Sequence, residues 1–361
     1  MGKEIRVAIA GIGNCASALV QAVFYYKDAK PDDFIPGLMS PVLGEYHIRD
    51  IKFVAAFDVN TKKIGKDLSE AIFSPPNCVP KVVNVPRLGV KVLPAPILDG
   101  VAPHMRKTFS PYDPNEVEPV NVADVLKEAD ADILINFVPV GSEQAARYYA
   151  QACLDAKVAF INCMPTFIVS DPEWGKRFEE RGVPAAGDDI KSQLGATIVH
   201  RTLARLCVER GIKILETYQL NIGGNADFEN MMMEERLKTK RISKTEAVTS
   251  IIPYSVKARV GPSDYVPFLG DIKIAYIYLR CEQFLGLPLE IEVKLKVNDS
   301  PNSAGVVVDA IRATKIAIDR GIVGPLISVS AWTMKHPPVQ ARNDFEAKRW
   351  FLEFIEGKRE R

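Results

Sequence analysis

The feature that most constrains this chain is a glycine pattern near its start. Residues 5–10, IRVAIA, form an apolar run that predicts a short buried strand. Gly11-Ile12-Gly13-Asn14-Cys15-Ala16 follows, and a helix is predicted over 17–26. This is G-x-G-x-x-A, the small-residue form of the dinucleotide fingerprint. In that pattern Gly11 makes the tight turn, Gly13 admits a pyrophosphate close to the backbone, and Ala16 lets the helix lie against the strand. The helix N-terminus then offers unpaired N–H groups and a positive dipole end to phosphates. Glycines also end strands for structural reasons alone, so the pattern needs a partner.

Asp58 supplies one. It stands at the end of a second apolar strand, residues 51–57. A carboxylate there accepts both ribose hydroxyls of NAD and repels the extra phosphate of NADP; the plainer reading is a strand-end turn residue. Asp58 lies 47 residues after Gly11, against about 20 in the usual unit. Residues 27–50, with their prolines and glycine, are therefore read as a loop-like insertion. Further helix and strand signals alternate: helix 122–129, strand 133–138, helix 144–156, strand 158–162. That alternation predicts an α/β fold, a doubly wound parallel sheet with helices on both faces. Ligands then sit at the carboxyl ends of the strands, where Ser142 and Asn162 fall, either as ligand contacts or as N-cap and turn residues.

Near residue 200 the rhythm changes. After a helix over 198–209, segments 214–222, 255–260, 272–280 and 289–297 alternate apolar and polar residues as half-buried strands do. A long helix over 304–320 follows, with Gly321 as its C-cap. The expected division is 1–200 as the first part of a dinucleotide-binding domain, 201–300 as an inserted α+β domain, and 301–361 as the return and tail. At roughly 150 residues per domain, 361 residues fit two.

Charge and composition remove several functions. Lys plus Arg number 46 and Asp plus Glu 45, a net charge of +1, which argues against a broad nucleic-acid or anionic-membrane surface. No apolar run approaches the ~20 residues of a membrane span, and the first residues do not read as a secretory signal. The six cysteines form no CxxC pair and the four histidines have no metal-ligand spacing. Reduced thiols in the cytoplasm are expected, and a histidine-based zinc site is not.

Several polar clusters could carry chemistry. Residues 187–193, GDDIKSQ, bring Asp189 and Lys191 together, although the spacing alone favours a helix start with Asp caps and a solvated lysine. Residues 221–227, NIGGNAD, end a strand with two glycines and include Asn225. Lys273 lies in an otherwise apolar strand, and Lys294 and Lys296 share a strand face. Lys244 follows a charged helix and by itself reads as a solvated side chain. Asp299-Ser300-Pro301-Asn302-Ser303 is a polar strand-to-helix junction. Lysines and an aspartate beside a nicotinamide suit carbonyl and enolate chemistry, because a lysine stabilises a developing oxyanion or moves a proton once its pKa falls.

With these residues in view, the sequence resembles the myo-inositol-1-phosphate synthases, most closely their shorter bacterial and archaeal branch. The carriers are VAIAGIGNCASALVQ, PGLM, FVAAFDV, VPVGSE, GDDIKSQLGAT, LNIGGNADF, RISKTEAVTS, GPSDYV and KVNDSPNSAGVVVDAIRA, spread from Val7 to Met334. The resemblance implies an isomerase that converts glucose 6-phosphate to inositol 1-phosphate. NAD oxidises carbon 5, carbon 6 loses a proton, the enolate closes on the carbon 1 aldehyde, and the hydride returns, with no net redox change. It also implies that Gly11, Gly13, Asn14, Cys15, Asp58, Ser142, Asp189 and Ser300 hold NAD. Lys191, Lys244, Lys273 and Asp299 would be catalytic, and Asn225, Lys244, Lys273 and Lys294 would bind substrate. Some members hold a divalent cation nearby, and the inserted domain builds a homotetramer. Two other functions fit the residues themselves: an NAD-dependent oxidoreductase of another sugar phosphate, and a non-catalytic NAD-binding homologue.

Overall fold

A computed structural model describes residues 3–233 and 245–361. Lys244 therefore lies outside the described residues.

The first sheet is built from β1 (Ile5–Ala10), β2 (Ile51–Asp58), β3 (Val92–Pro94), β4 (Ile133–Asn136), β5 (Ala159–Asn162), β6 (Pro184–Ala186) and, much later, β11 (Gly324–Pro325). Its order is β11-β6-β5-β4-β1-β2-β3 with every pairing parallel. The strand order reverses between β1 and β4, which creates the crevice where such sheets bind ligands. Successive residues of β1 face opposite layers. Ile5, Val7 and Ile9 pack with Leu19 and Val20 of α1 (Asn14–Tyr25) and with Val307 and Ile311 of the long helix after the insertion. Ala8 and Ala10 pack with Ala146, Tyr149 and Cys153 of α2 (Glu143–Ala156). The small residues of β1 let α2 approach closely. Full burial of a Val, Leu or Ile side chain, such as Ile5, Val7 and Ile9, contributes about 1.5–3 kcal/mol.

The second sheet contains β7 (Lys213–Gly223), β8 (Lys257–Tyr265), β9 (Ile272–Glu282) and β10 (Pro288–Asn298) in the order β8-β7-β9-β10. Only β7 and β8 run parallel. One face is covered by α3 (Ala196–Glu209), whose Ala204 and Cys207 pack among Ile277 and Leu279. The other face leaves Tyr218, Leu220 and Tyr276 exposed.

Two local expectations change. The helix expected to begin at 304 begins at Asp299, directly after β10, so α4 spans Asp299–Asp319. Pro301 misled the reading; it sits in the first turn, where its missing N–H has no helical partner to lose. The insertion 27–50 is also more than a loop. It contains a small hairpin, Val42–Leu43 with Tyr46–His47, and it is clamped to α4. Gly305 of α4 lies so close to Gly37 that a Cβ there would fall 1.9 Å from the Gly37 carbonyl oxygen. Two turns further on, the fully buried Arg312 donates to the carbonyls of Ser40 (2.8 Å) and Pro41 (2.9 Å). It also pairs with the equally buried Asp309 at 2.6 Å. After α4 the chain forms α5 (Ile327–Thr333) and α6 (Asp344–Ile355).

Breaking one partner of a buried ion pair costs about 3–5 kcal/mol. Arg312→Met is expected to lower unfolding stability by that amount, since it strands Asp309 and two carbonyls. Urea denaturation of the full chain measures it, and a loss below about 1 kcal/mol contradicts the clamp.

Candidate active site

A cavity opens at the carboxyl ends of β1 and β2 and extends beneath the second sheet. Its lining includes Gly11, Gly13, Asn14, Cys15, Asp58, Asp189, Lys191, Asn225, Lys273, Asp299 and Ser300. The fold thus gathers eleven of the expected site residues, although they come from distant parts of the chain.

The glycine loop has the geometry its sequence requires. Gly11 has φ +88°, and a Cβ there would sit 2.8 Å from the Phe137 carbonyl oxygen. Among the described residues nothing lies within 4 Å of a Cβ placed at Gly13, so they leave the backbone open to a ligand on that side. Gly13 caps α1 with no side-chain bond, and no acidic residue occupies the first turn. The positive end of the helix therefore keeps its capacity for an anion. Asp58 accepts from the backbone N–H of Ile12 (2.8 Å), Val59 (2.7 Å) and Asn60 (2.9 Å). Sequence reading missed its neighbour Lys63. The ammonium of this buried lysine donates to the Ile12 carbonyl (2.7 Å) and Asn77 Oδ1 (2.9 Å), bracing the loop from below. Burial lowers the Lys63 pKa, and Asp58 partly offsets this. Asn14 accepts from the Cys78 N–H at 2.8 Å. Burial, reinforced by Asp299, Asp271 and Asp227, pushes the Cys15 thiol up to about 12, so Cys15 is a neutral wall of the site.

At the other end, Lys273 Nζ lies 3.2 Å from Asp299 Oδ1. Burial pulls its pKa down, but the charge and hydrogen bond of Asp299, with Asp227 and Asp189, leave it raised. Lys273 is thus a held cation. The hub behind it is Asp271, another residue without a sequence signal. Asp271 accepts from Ser300 Oγ (2.7 Å), the Ser300 N–H (3.1 Å) and Asn225 Nδ2 (3.1 Å). Asn225 is also the N-cap of the short helix Ala226–Asn230, so its amide is committed to shaping the turn.

A second cation–carboxylate pair faces the first. Lys335, which also lines the cavity, contacts Asp189 Oδ1 at 2.6 Å. Backbone bonds from Lys335 to Asp189 (2.7 Å) and from Lys191 to Thr333 (2.8 Å) join the two segments. Lys335 lies in the segment TMKHPP, where no periodicity marks it. Lys191 is almost fully buried, and its ammonium donates to the Ala331 carbonyl (2.9 Å) and Asp344 Oδ1 (3.4 Å). Burial lowers its pKa to about 8, with Asp344 opposing and Arg201 adding to the fall.

Two expected residues fall elsewhere. Ser142 is the buried N-cap of α2 and is not part of the cavity lining; Asp99 receives the next N–H groups of that helix, those of Gln144 and Ala145. Lys294 is an exposed residue of β10, 5.6 Å above the Tyr276 ring on the outer face of the sheet. The alternation that packs the partly buried Val293 and Leu295 against the core turns Lys294 away from it. Among the described residues, no three His, Cys, Asp or Glu side chains group as a cation site, and no helix is long and apolar enough to cross a membrane.

The fold and site define a Rossmann-like α/β protein with a second, mixed sheet beside the crevice at the strand ends. A family model described as myo-inositol-1-phosphate synthase matches residues 195–300. The chain is 51% identical to the inositol-3-phosphate synthase of Corynebacterium glutamicum over 98% of this chain and 99% of that one. It is 52% identical to that of Mycobacterium tuberculosis H37Rv, covering 98% and 96%. A solved structure from Thermotoga maritima, described as myo-inositol-1-phosphate synthase-related, superposes with a TM-score of 0.79 over 98% of both chains; at 24% identity it supports the fold alone. The chain belongs to the myo-inositol-1-phosphate synthase family, as an isomerase of the inositol-3-phosphate synthase type.

Lys191 yields a pH prediction. Below pH 8 it is protonated in folded and unfolded chains alike, and its burial penalty is complete. Between about 8 and the ordinary 10.5 the folded form sheds the proton first, so stability gains with rising pH. The stability of the wild type minus that of Lys191→Met is expected to increase across this window, measured by urea denaturation at each pH. A flat or falling difference contradicts the assignment.

Proposed function

We propose that this chain isomerises D-glucose 6-phosphate to 1L-myo-inositol 1-phosphate with bound NAD. The observation that carries this reading is the meeting of the Lys273–Asp299 pair and the Gly11–Gly13 loop in one cavity. It stands beside full-length similarity to inositol-3-phosphate synthases.

Gly11, Gly13 and the start of α1 would hold the pyrophosphate, and Asp58 the ribose, with Asn14, Cys15, Asp189 and Ser300 around the remainder. Ser142 would support this end indirectly, through the start of α2. When bound, NAD supplies reversible hydride acceptance. Lys273, kept protonated by Asp299, stabilises negative charge on the substrate oxygen as a ketone and then an enolate develop. Lys335 and Lys273 bring positive charge for the substrate phosphate, and Asn225 shapes the adjoining turn. Lys191 supports the proton-transfer side from beneath; Lys244 keeps its catalytic and substrate-binding role on the resemblance alone. The exposed position of Lys294 removes the support for its substrate role within one chain.

The division 1–200, 201–300 and 301–361 is part of this proposal. The core of the second sheet supports moving α3 into the inserted unit. The exposed Tyr218, Leu220 and Tyr276 support a homotetramer built through that sheet. Six unpaired cysteines fit a cytoplasmic, reducing location.

The test is incubation of the purified chain with glucose 6-phosphate and catalytic NAD, followed by phosphorus NMR. An inositol phosphate signal is expected without accumulated NADH. Stoichiometric NADH would instead identify an ordinary oxidoreductase, and unchanged sugar phosphate a binding homologue. Lys273→Ala is expected to abolish turnover and leave NAD affinity within about threefold by calorimetry, about 0.6 kcal/mol; loss of NAD binding removes its catalytic role. Asp58→Ala is expected to weaken NAD and narrow its preference over NADP. An unchanged ratio of the two dissociation constants contradicts the ribose assignment.

A further inference from the structure

Asp344, in the first turn of α6, lies outside every motif discussed above. Its Oδ1 is 3.4 Å from Lys191 Nζ and its Oδ2 is 3.8 Å from Arg201 Nε. Both cations are buried. Arg201 also donates to the Ala341 carbonyl at 2.6 Å, while its Nε finds no hydrogen-bond partner among the described residues. One carboxylate thus stands between two buried positive charges. Lys191 is the last residue of the segment that pairs with 333–336, through the Ile190–Met334 bridge and the Asp189–Lys335 contacts. That segment presents Asp189 and Lys335 to the cavity.

We propose that Asp344 is a positioning residue: by bridging Lys191 and Arg201 it ties the C-terminal helix to the 188–191 segment and fixes the Asp189–Lys335 pair over the cavity. The inference rests on the reading of this cavity as the active site. Without the carboxylate, Lys191 and Arg201 face one another unopposed. A buried cation that loses its only counter-charge sheds its proton or moves. Either response loosens the segment, and displacement of a catalytic group by about 1 Å costs up to 10²-fold in rate. Among the described residues, the charged groups that act most strongly on Lys191 are Asp344, which raises its pKa, and Arg201 and Lys335, which lower it, so removal of Asp344 leaves repulsion as the larger influence.

The test compares wild type, Asp344→Asn and Asp344→Glu as full chains. The first readout is the pH dependence of Lys191 acetylation by acetic anhydride, followed by peptide mass spectrometry. The wild-type midpoint is expected near 8; it should move to lower pH in Asp344→Asn and return in Asp344→Glu. The second is the kinetics with glucose 6-phosphate: kcat should fall roughly tenfold or more in Asp344→Asn, with KM within about threefold and partial recovery in Asp344→Glu. An unmoved midpoint overturns the bridge. A moved midpoint with unchanged kcat overturns the positioning role. Should the wild type itself leave glucose 6-phosphate unchanged, the functional reading fails separately, and the acetylation midpoint still decides whether Asp344 governs Lys191.

Discussion

The site depends on one contact, that of Lys273 with Asp299, because it ties the end of the second sheet to the start of α4. Lys273 is carried by β9 and Asp299 opens α4, which packs against the parallel sheet. The chain passes from β10 into α4 with no intervening loop, since Asn298 ends the strand and Asp299 begins the helix. This continuity limits the freedom of one sheet relative to the other. Such a half-buried pair adds little net stability. Its effect is geometric, holding an ammonium in a cavity where a developing oxyanion needs it.

The same economy of charge recurs around the cavity. Lys63, Lys191 and Lys335 are each held by a carboxylate, a carbonyl or both. None carries its charge without compensation, as burial demands. The environments differ, however, and so do their consequences. Lys273 remains a cation because carboxylates outweigh its burial, whereas Lys191 is drawn to about 8 because burial and Arg201 outweigh Asp344. One cavity therefore holds a lysine suited to constant charge and another closer to proton exchange at neutral pH.

Much of this was legible in the sequence because it depends on neighbours along the chain. The strand, the G-x-G-x-x-A turn and α1 are local, and so are the alternating apolar runs of both sheets. The acid at the end of β2 was legible despite the insertion, because strand end and residue type suffice. What escaped notice depends on distance. Asp344 meets Lys191 across 153 residues, and Lys335 meets Asp189 across 146. Asp271 looks like an ordinary turn residue until Ser300 and Asn225 converge on it. Pro301 hid the true start of α4 because a proline both breaks a helix interior and suits a first turn, and the local sequence does not distinguish the two. Lys294 shows the converse failure. Its lysine-rich strand resembled a site, but strand parity places it on the outer face.

The most direct test of this account is a crystal structure of the chain with NAD and an open-chain sugar alcohol 6-phosphate, which lacks the carbon 1 aldehyde and so cannot close the ring. The account predicts the pyrophosphate at Gly13 and the start of α1. It places the ribose at Asp58 and the sugar phosphate between Lys273 and Lys335, within hydrogen-bond reach of at least one of them. A dinucleotide bound at the glycine loop with the sugar phosphate outside this cavity would contradict it.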